Sequence, residues 1–113
     1  MYKKILFLPF VLIACAPVWH IPYNFQEVII SSDKYKILTY QKLSDSISPI
    51  HIYIEGDGYA FNGAGRPTSN PTPRGTFLRD LSINDNSPNV VYMARPCQYI
   101  MSSGCDISDW TSK

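Results

Sequence analysis

The chain has 113 residues, which is enough for one small domain. Apolar residues make up 45% of the chain and charged residues 17%, proportions that are typical of a folded protein and argue against a disordered one. The formal net charge is only +1, and no basic cluster follows the N-terminus. The composition therefore predicts no nucleic-acid partner.

The first residues have the pattern of a targeting segment. Lys3 and Lys4 precede an apolar run, Ile5 to Ile13, which is too short for a membrane-spanning helix of roughly 20 residues. The run ends in Leu-Ile-Ala-Cys at positions 12–15, which resembles a bacterial lipobox. We expect a lipoprotein signal peptide over residues 1–14 and lipidation of Cys15. The alternative is an ordinary cleaved signal peptide followed by an incidental cysteine.

Lipidation at Cys15 would make the membrane a partner through the anchor, since each buried methylene contributes about 0.8 kcal/mol. The expected location is the bacterial cell envelope, at the outer membrane or the periplasmic face. By resemblance to the sorting of enterobacterial lipoproteins, Ala16 as the next residue does not favour retention at the inner membrane. Pro17 and Pro22 predict an extended tether over residues 15–25, before a folded part over residues 26–113.

Two further cysteines, Cys97 and Cys105, are separated by a short Gly/Ser-containing loop. In an exported chain this spacing favours a disulfide, which would contribute roughly 2–3 kcal/mol by closing the loop. Two free thiols are the alternative. A metal site is less favoured, because no histidine or third cysteine lies nearby to complete a tetrahedral set.

The order of elements predicts the α/β class. Two strands separated by a turn suggest an antiparallel hairpin, and two apolar strands flank a short helix. Such a strand–helix–strand unit normally places its helix over one face of a parallel pair, and an apolar run without alternation indicates a strand buried on both faces. The expected strands cover residues 27–31, 36–43, 50–54 and 89–94, the helix covers residues 76–81, and residues 102–113 are expected to be irregular.

Three blocks of sequence carry a resemblance to a known fold. They read Ile-Tyr-Ile-Glu-Gly-Asp-Gly-Tyr at 52–59, Asn-Pro-Thr-Pro at 70–73 and Ser-Pro-Asn-Val-Val-Tyr-Met-Ala-Arg-Pro-Cys-Gln-Tyr at 87–99. Together they resemble the N-terminal part of a group of exported bacterial α/β-hydrolases, from about Glu27 to the end of the chain. The resemblance implies a partial, incomplete α/β-hydrolase-like sheet that ends before the nucleophile elbow.

By position, Gly56, Asp57 and Gly58 match the loop that supplies a backbone N–H to the oxyanion hole in this fold. Glu55 stands where esterases usually carry a histidine. A plain strand-ending turn is the alternative, because Gly-Asp-Gly is common in turns. A phosphate cradle is disfavoured, since no Gly-Lys-Ser/Thr follows, and a calcium loop would need ligands that are missing here.

The sequence predicts no catalytic residue, no cofactor and no metal. A hydrolase of this fold needs Gly-x-Ser-x-Gly, then an acid, then a histidine. No two glycines four positions apart enclose a serine, and both histidines, His20 and His51, precede any possible nucleophile. Ser102 and Ser103 lack a strand-to-helix context. His51 is therefore expected to serve at the start of a strand and not as a base.

The expected function is that of a lipid-anchored fragment derived from a serine hydrolase of the esterase or lipase type, inactive alone. The resemblance implies a fifth strand beside the strand at residues 50–54, so this strand is expected to form an apolar edge that a protein partner would cover. Stability should be marginal, which a sharp cooperative melt of the monomer would contradict. The alternatives are a small non-catalytic envelope lipoprotein that binds a partner, and a chain that completes an active site together with a second polypeptide.

Overall fold

The computed structural model describes residues 19–112. The expected lipidation site, Cys15, lies outside the described residues, as does the signal peptide. The secondary-structure elements are β1 (Gln26–Ser32), β2 (Tyr35–Leu43), β3 (His51–Ile54), α1 (Phe77–Ile83), β4 (Asn89–Met93) and α2 (Ser108–Thr111). None of the helices in this part of the chain is long and apolar enough to cross a bilayer.

The four strands form one mixed sheet in the order β1-β2-β4-β3. β1 and β2 pair antiparallel, β2 and β4 pair antiparallel, and β3 and β4 are parallel with α1 between them in sequence. The predicted hairpin and strand–helix–strand unit are thus confirmed as parts of a mixed α/β fold. The one missed element is α2, a single helical turn in a segment that was expected to be irregular.

The core lies on the sheet face that α1 covers, here called the α1 face. Residues directly opposite each other in neighbouring strands share a face, which places Tyr40, Tyr92 and Tyr53 in one row. Tyr40 and Tyr92 stack with ring centroids 5.7 Å apart. Leu38 and Val90 are also buried there, and Leu78 and Ile83 of α1 pack against this cluster.

The segment before β1 packs against the core from Trp19 onward. A tether was expected over residues 15–25, but Phe25 is buried, and Trp19 and Ile21 lie against the core cluster. The Trp19 ring lies 5.1 Å from that of Tyr40. In its described part, the segment therefore completes the cover of the α1 face, because its large apolar side chains gain more from burial than from extension into water.

The opposite side of the sheet, here called the open face, also carries apolar residues. Its members, from the strand registers, are Val28, Ile30, Ile37, Ile52, Ile54, Val91 and Met93. The apolar run of β3 was expected to indicate burial on both faces, and this expectation is wrong: Ile52 is 54% exposed and Ile54 62% exposed. The reason is position, because β3 is at the edge of the sheet and neither described helix packs on this face. The expected apolar edge is present in the described sheet.

We expect Ile52→Lys to reduce aggregation of the chain while changing the free energy of unfolding by no more than about 0.5 kcal/mol, as for other exposed positions. Light scattering and denaturant unfolding measure the two effects. Val91→Lys is the matched control, because Val91 is the neighbour of Ile52 across the β3–β4 pair and is 8% exposed. A lysine there buries a charge and should prevent folding. Equal aggregation of Ile52→Lys and the wild type would contradict the role of the edge.

Candidate functional site

The loop that follows β3 lies at the carboxyl end of the parallel strands, where open α/β sheets bind their ligands. Glu55 N–H donates to Met93 O at 2.9 Å and extends the pairing of β3 with β4 by one residue. The chain then leaves the sheet through Gly56, Asp57 and Gly58. The three residues that the sequence singled out thus follow directly from the last paired position of β3.

Glu55 turns inward and holds the start of this loop. Its carboxylate accepts a hydrogen bond from the Tyr92 hydroxyl at 2.7 Å and a longer one from Gly56 N–H at 3.3 Å. Burial raises the pKa of Tyr92, and the neighbouring Tyr99 hydroxyl and Glu55 carboxylate raise it further. Tyr92 therefore stays neutral and acts as a donor, and Glu55 serves to fix the loop to the core.

Gly58 has a conformation that requires glycine. Its φ is +60°, and a Cβ there would lie 2.2 Å from Pro71 O and 2.8 Å from the Gln98 amide nitrogen. A Cβ on Gly56 would meet nothing within 4 Å. The close approach of Gly58 to Pro71 is reinforced by the next residue, because Tyr59 N–H donates to Pro71 O at 2.9 Å.

Two consecutive amides of the loop make no hydrogen bond within the described part of the chain. Gly56 N–H is bonded to Glu55 and Tyr59 N–H to Pro71. Within residues 19–112, Asp57 N–H and Gly58 N–H have no acceptor. Backbone donors of this kind stabilise a developing oxyanion when they are fixed in advance.

The turn after β4 clamps the loop from the other side. The Gln98 side chain is 1% exposed; its amide nitrogen donates to Gly56 O at 2.9 Å, and its amide oxygen accepts from Arg95 N–H at 3.0 Å. The Arg95 guanidinium forms an ion pair with Asp57. The Arg-Pro-Cys-Gln-Tyr block at 95–99 is thus the structural partner of the glycine loop.

The predicted disulfide between Cys97 and Cys105 is present, with Cα atoms 5.8 Å apart. Cys97 is buried and has φ +70°, and Tyr99 has φ +62°. The disulfide thus ties the turn after β4 to the segment that leads to α2. From there Trp110 Nε1 donates to Thr68 O at 3.0 Å, which fastens the same segment to the long loop between β3 and α1.

A cleft of about 130 Å³ opens beside the loop. The sequence does not predict this cleft, because its walls come from segments that are far apart along the chain. Its lining is Tyr35, Asp57, Pro71, Arg95, Pro96, Gln98, Asp109 and Trp110. Its charged side chains are paired within the protein, Arg95 with Asp57 and Asp109 with Lys34, so the cleft has no excess charge to attract an ionic ligand.

A second polar cluster, at the amino end of β3, brings Ser87, His51 and Asp85 together but does not form a catalytic triad. The Ser87 hydroxyl lies 2.9 Å and the Asp85 carboxylate 2.8 Å from the same atom, His51 Nδ1. A triad needs the serine on one ring nitrogen and the carboxylate on the other. The cluster instead joins the start of β3 to the connection between α1 and β4, and Tyr53 adds a hydrogen bond to Asp85 at 2.7 Å.

Of the two serines at positions 102 and 103, Ser102 is bonded to the turn between β1 and β2. Ser102 donates to Lys34 O at 2.9 Å. No group of three or more His, Cys, Asp or Glu residues within residues 19–112 is placed to hold a metal ion.

The chain matched no family model, no curated protein and no solved structure.

We expect Gly58→Ala to lower the free energy of unfolding by at least about 2 kcal/mol, because alanine pays roughly 1–2 kcal/mol for the left-handed conformation in addition to the clash with Pro71. Gly56→Ala is the matched control and should change it by less than about 1 kcal/mol, since nothing obstructs a Cβ at that position. Chemical denaturation of both variants measures the difference. Equal stabilities would contradict the conformation described for Gly58.

The Asp85 cluster predicts a pH dependence of stability. Hydrogen bonds from Ser87, Tyr53 and His51 lower the pKa of Asp85 below its usual 3.8. A depressed pKa in the folded state stabilises the protein above the unfolded pKa, and this contribution is lost as the pH falls. The stability difference between wild type and Asp85→Asn should therefore be present at about pH 5 and smaller at about pH 2.5. A difference that does not vary with pH in urea unfolding would contradict it.

Proposed function

We propose that this chain is a lipid-anchored protein of the bacterial cell envelope whose sheet corresponds to the N-terminal part of a serine-hydrolase domain of the α/β-hydrolase type. In this proposal Gly56, Asp57 and Gly58 are the oxyanion-type loop of that domain. The 113 residues contain no Gly-x-Ser-x-Gly sequence, so we propose that they do not hydrolyse esters by themselves.

The observation that carries the proposal is the state of the loop at the carboxyl end of β3. Its two free amides, Asp57 N–H and Gly58 N–H, are consecutive, and the buried side chain of Gln98 holds the start of the loop. Unpaired amides also occur in a plain turn, such as the one that Ala60 N–H closes onto Asp57 O. The buried glutamine is what favours an oxyanion loop, whose donors must be held in a fixed position.

The sheet arrangement supports the same proposal. The resemblance implies a parallel pair of strands connected by a helix, with an antiparallel hairpin on one side of that pair. In the structure the pair is β3 and β4, and the hairpin is β1 and β2. Among the strands of residues 19–112, β3 has a neighbour on one side only. In the proposed domain its other side is the place of the strand that carries the nucleophile.

A second candidate function, a non-catalytic envelope lipoprotein that binds a protein partner, is favoured by the open face. Ile52 and Ile54 lie next to each other on one side of β3 and are both more than half exposed. Exposed apolar groups beside an unpaired strand edge are typical of surfaces that a further strand or a partner covers.

The first experiment is an intact mass of the product captured from membranes of the source cells with an antibody to residues 19–30. We expect the mass of an acylated chain that begins at Cys15. The variant Cys15→Ser is the matched control: it should lack the acyl mass and leave the membrane fraction, because the thioether lipid has no other attachment atom. An unmodified wild-type mass would contradict the lipid anchor.

The same preparation is treated with a fluorophosphonate probe, which reacts with activated serines. We expect no labelling of the acylated chain that ends at Lys113. Labelling of that species would contradict the proposal that these residues lack a nucleophile. Labelling confined to a species of larger mass would support the proposed hydrolase origin. The reactive serine would then be sought among the additional residues of that species.

A further inference from the structure

The first described residues of the chain are fixed to the outer layer of the α1 face. Trp19 Nε1 donates to the Asp80 carboxylate at 3.1 Å. The Arg79 guanidinium lies 4.5 Å from the centre of the Trp19 ring, on the side of the helix that meets the N-terminal segment. The chain therefore enters the described fold next to α1.

The expected acylation site is close to this point along the chain. Cys15 precedes Trp19 by four residues, and an extended chain spans at most about 3.6 Å per residue. The length of the intervening chain therefore limits the distance between Cys15 and Trp19 to roughly 14 Å. A bilayer that holds the acyl chains must then lie close to α1.

α1 has an apolar outer surface suited to that position. Phe77 and Leu81 are four residues apart and so share one side of the helix; they are 77% and 45% exposed. Leu78 and Ile83 face the core instead. Both exposed side chains are within one helical turn of Asp80, the residue that Trp19 contacts.

We propose that, when Cys15 is acylated, the outer side of α1 docks onto the lipid bilayer through Phe77 and Leu81. The inference rests on the proposed lipid anchor. Two apolar side chains would bind lipid weakly on their own, but the anchor keeps them at the membrane surface, where the effective concentration of lipid is high. The bound orientation would bury both side chains among the headgroups.

The open face is a second exposed apolar surface among the described residues, and the anchor does not favour it. Ile52 and Ile54 belong to the side of the sheet opposite Trp19 and α1. A linker of four residues that starts on the α1 face would have to pass around the sheet to bring that side to the bilayer. Docking through α1 leaves the open face and the edge of β3 exposed to water.

The test places a thiol-reactive fluorophore at Phe77→Cys and, as the matched control, at Ile52→Cys, in the acylated full-length product with its disulfide intact. Both positions are exposed and apolar but lie on opposite sides of the sheet. A third label is placed at Leu81→Cys, a variant that retains the Phe77 side chain. It tests docking independently if the substitution of Phe77 itself weakens docking. Each labelled protein is incorporated into vesicles of phosphatidylethanolamine and phosphatidylglycerol, and its acylation is verified by intact mass.

We expect aqueous iodide to quench the labels at positions 77 and 81 roughly three-fold less than the label at position 52, as for side chains that lie among the headgroups. Nitroxide attached to lipid should show the reverse order. Equal quenching at all three positions of an acylated chain would overturn the docking and leave the anchor intact. Protection at position 52 instead would place the open face on the membrane and also overturn it. A chain without the acyl mass would remove the anchor, and the docking with it.

Discussion

The side chain of Gln98 is the constraint on which the shape of the candidate site depends. It is almost fully buried and makes hydrogen bonds at both ends of its amide, to Gly56 on one loop and to Arg95 on its own turn. A buried amide that loses a partner costs about 1–3 kcal/mol. The loop after β3 and the turn after β4 therefore cannot move independently, and the free amides of Asp57 and Gly58 keep a fixed relation to the sheet.

The rest of this end of the molecule is arranged so that Gln98 reaches that position. Cys97 and Tyr99, on either side of it, both have positive φ values, which are unfavourable for residues other than glycine. The disulfide holds Cys97 on one side, and on the other Tyr99 N–H donates to the Thr72 hydroxyl at 2.7 Å. The unfavourable backbone is thus held by a covalent bond on one side of Gln98 and a hydrogen bond on the other.

The sequence predicted the elements well because their signals are local. The hairpin, β4 and α1 were located to within one or two residues by alternation, by β-branched runs and by helical spacing. The pairing of Cys97 with Cys105 also followed from local spacing. The glycine loop was located correctly at the end of β3, although its proposed role still depends on the resemblance.

The features that the sequence did not predict depend on contacts between distant segments. Trp19 was assigned to a tether because two prolines surround it, and its packing against Tyr40 and Asp80 has no local signal. The inward direction of Glu55 depends on Tyr92, which lies 37 positions away. The exposed edge of β3 was expected from the resemblance and not from the composition of the strand, because an apolar strand has the same sequence whether its neighbours are present or absent.

The two exposed apolar surfaces differ in what would cover them. α1 presents exposed apolar side chains on its outer side, and a lipid surface can provide them with a nonpolar environment. β3 also has backbone groups along its free edge, and these need a strand or another hydrogen-bonding partner. β3 is only four residues long, and a short edge strand offers few unpaired backbone groups for aggregation in water. A membrane would therefore suit the helix side, and a polypeptide would suit the edge, so both can be covered at once without competition.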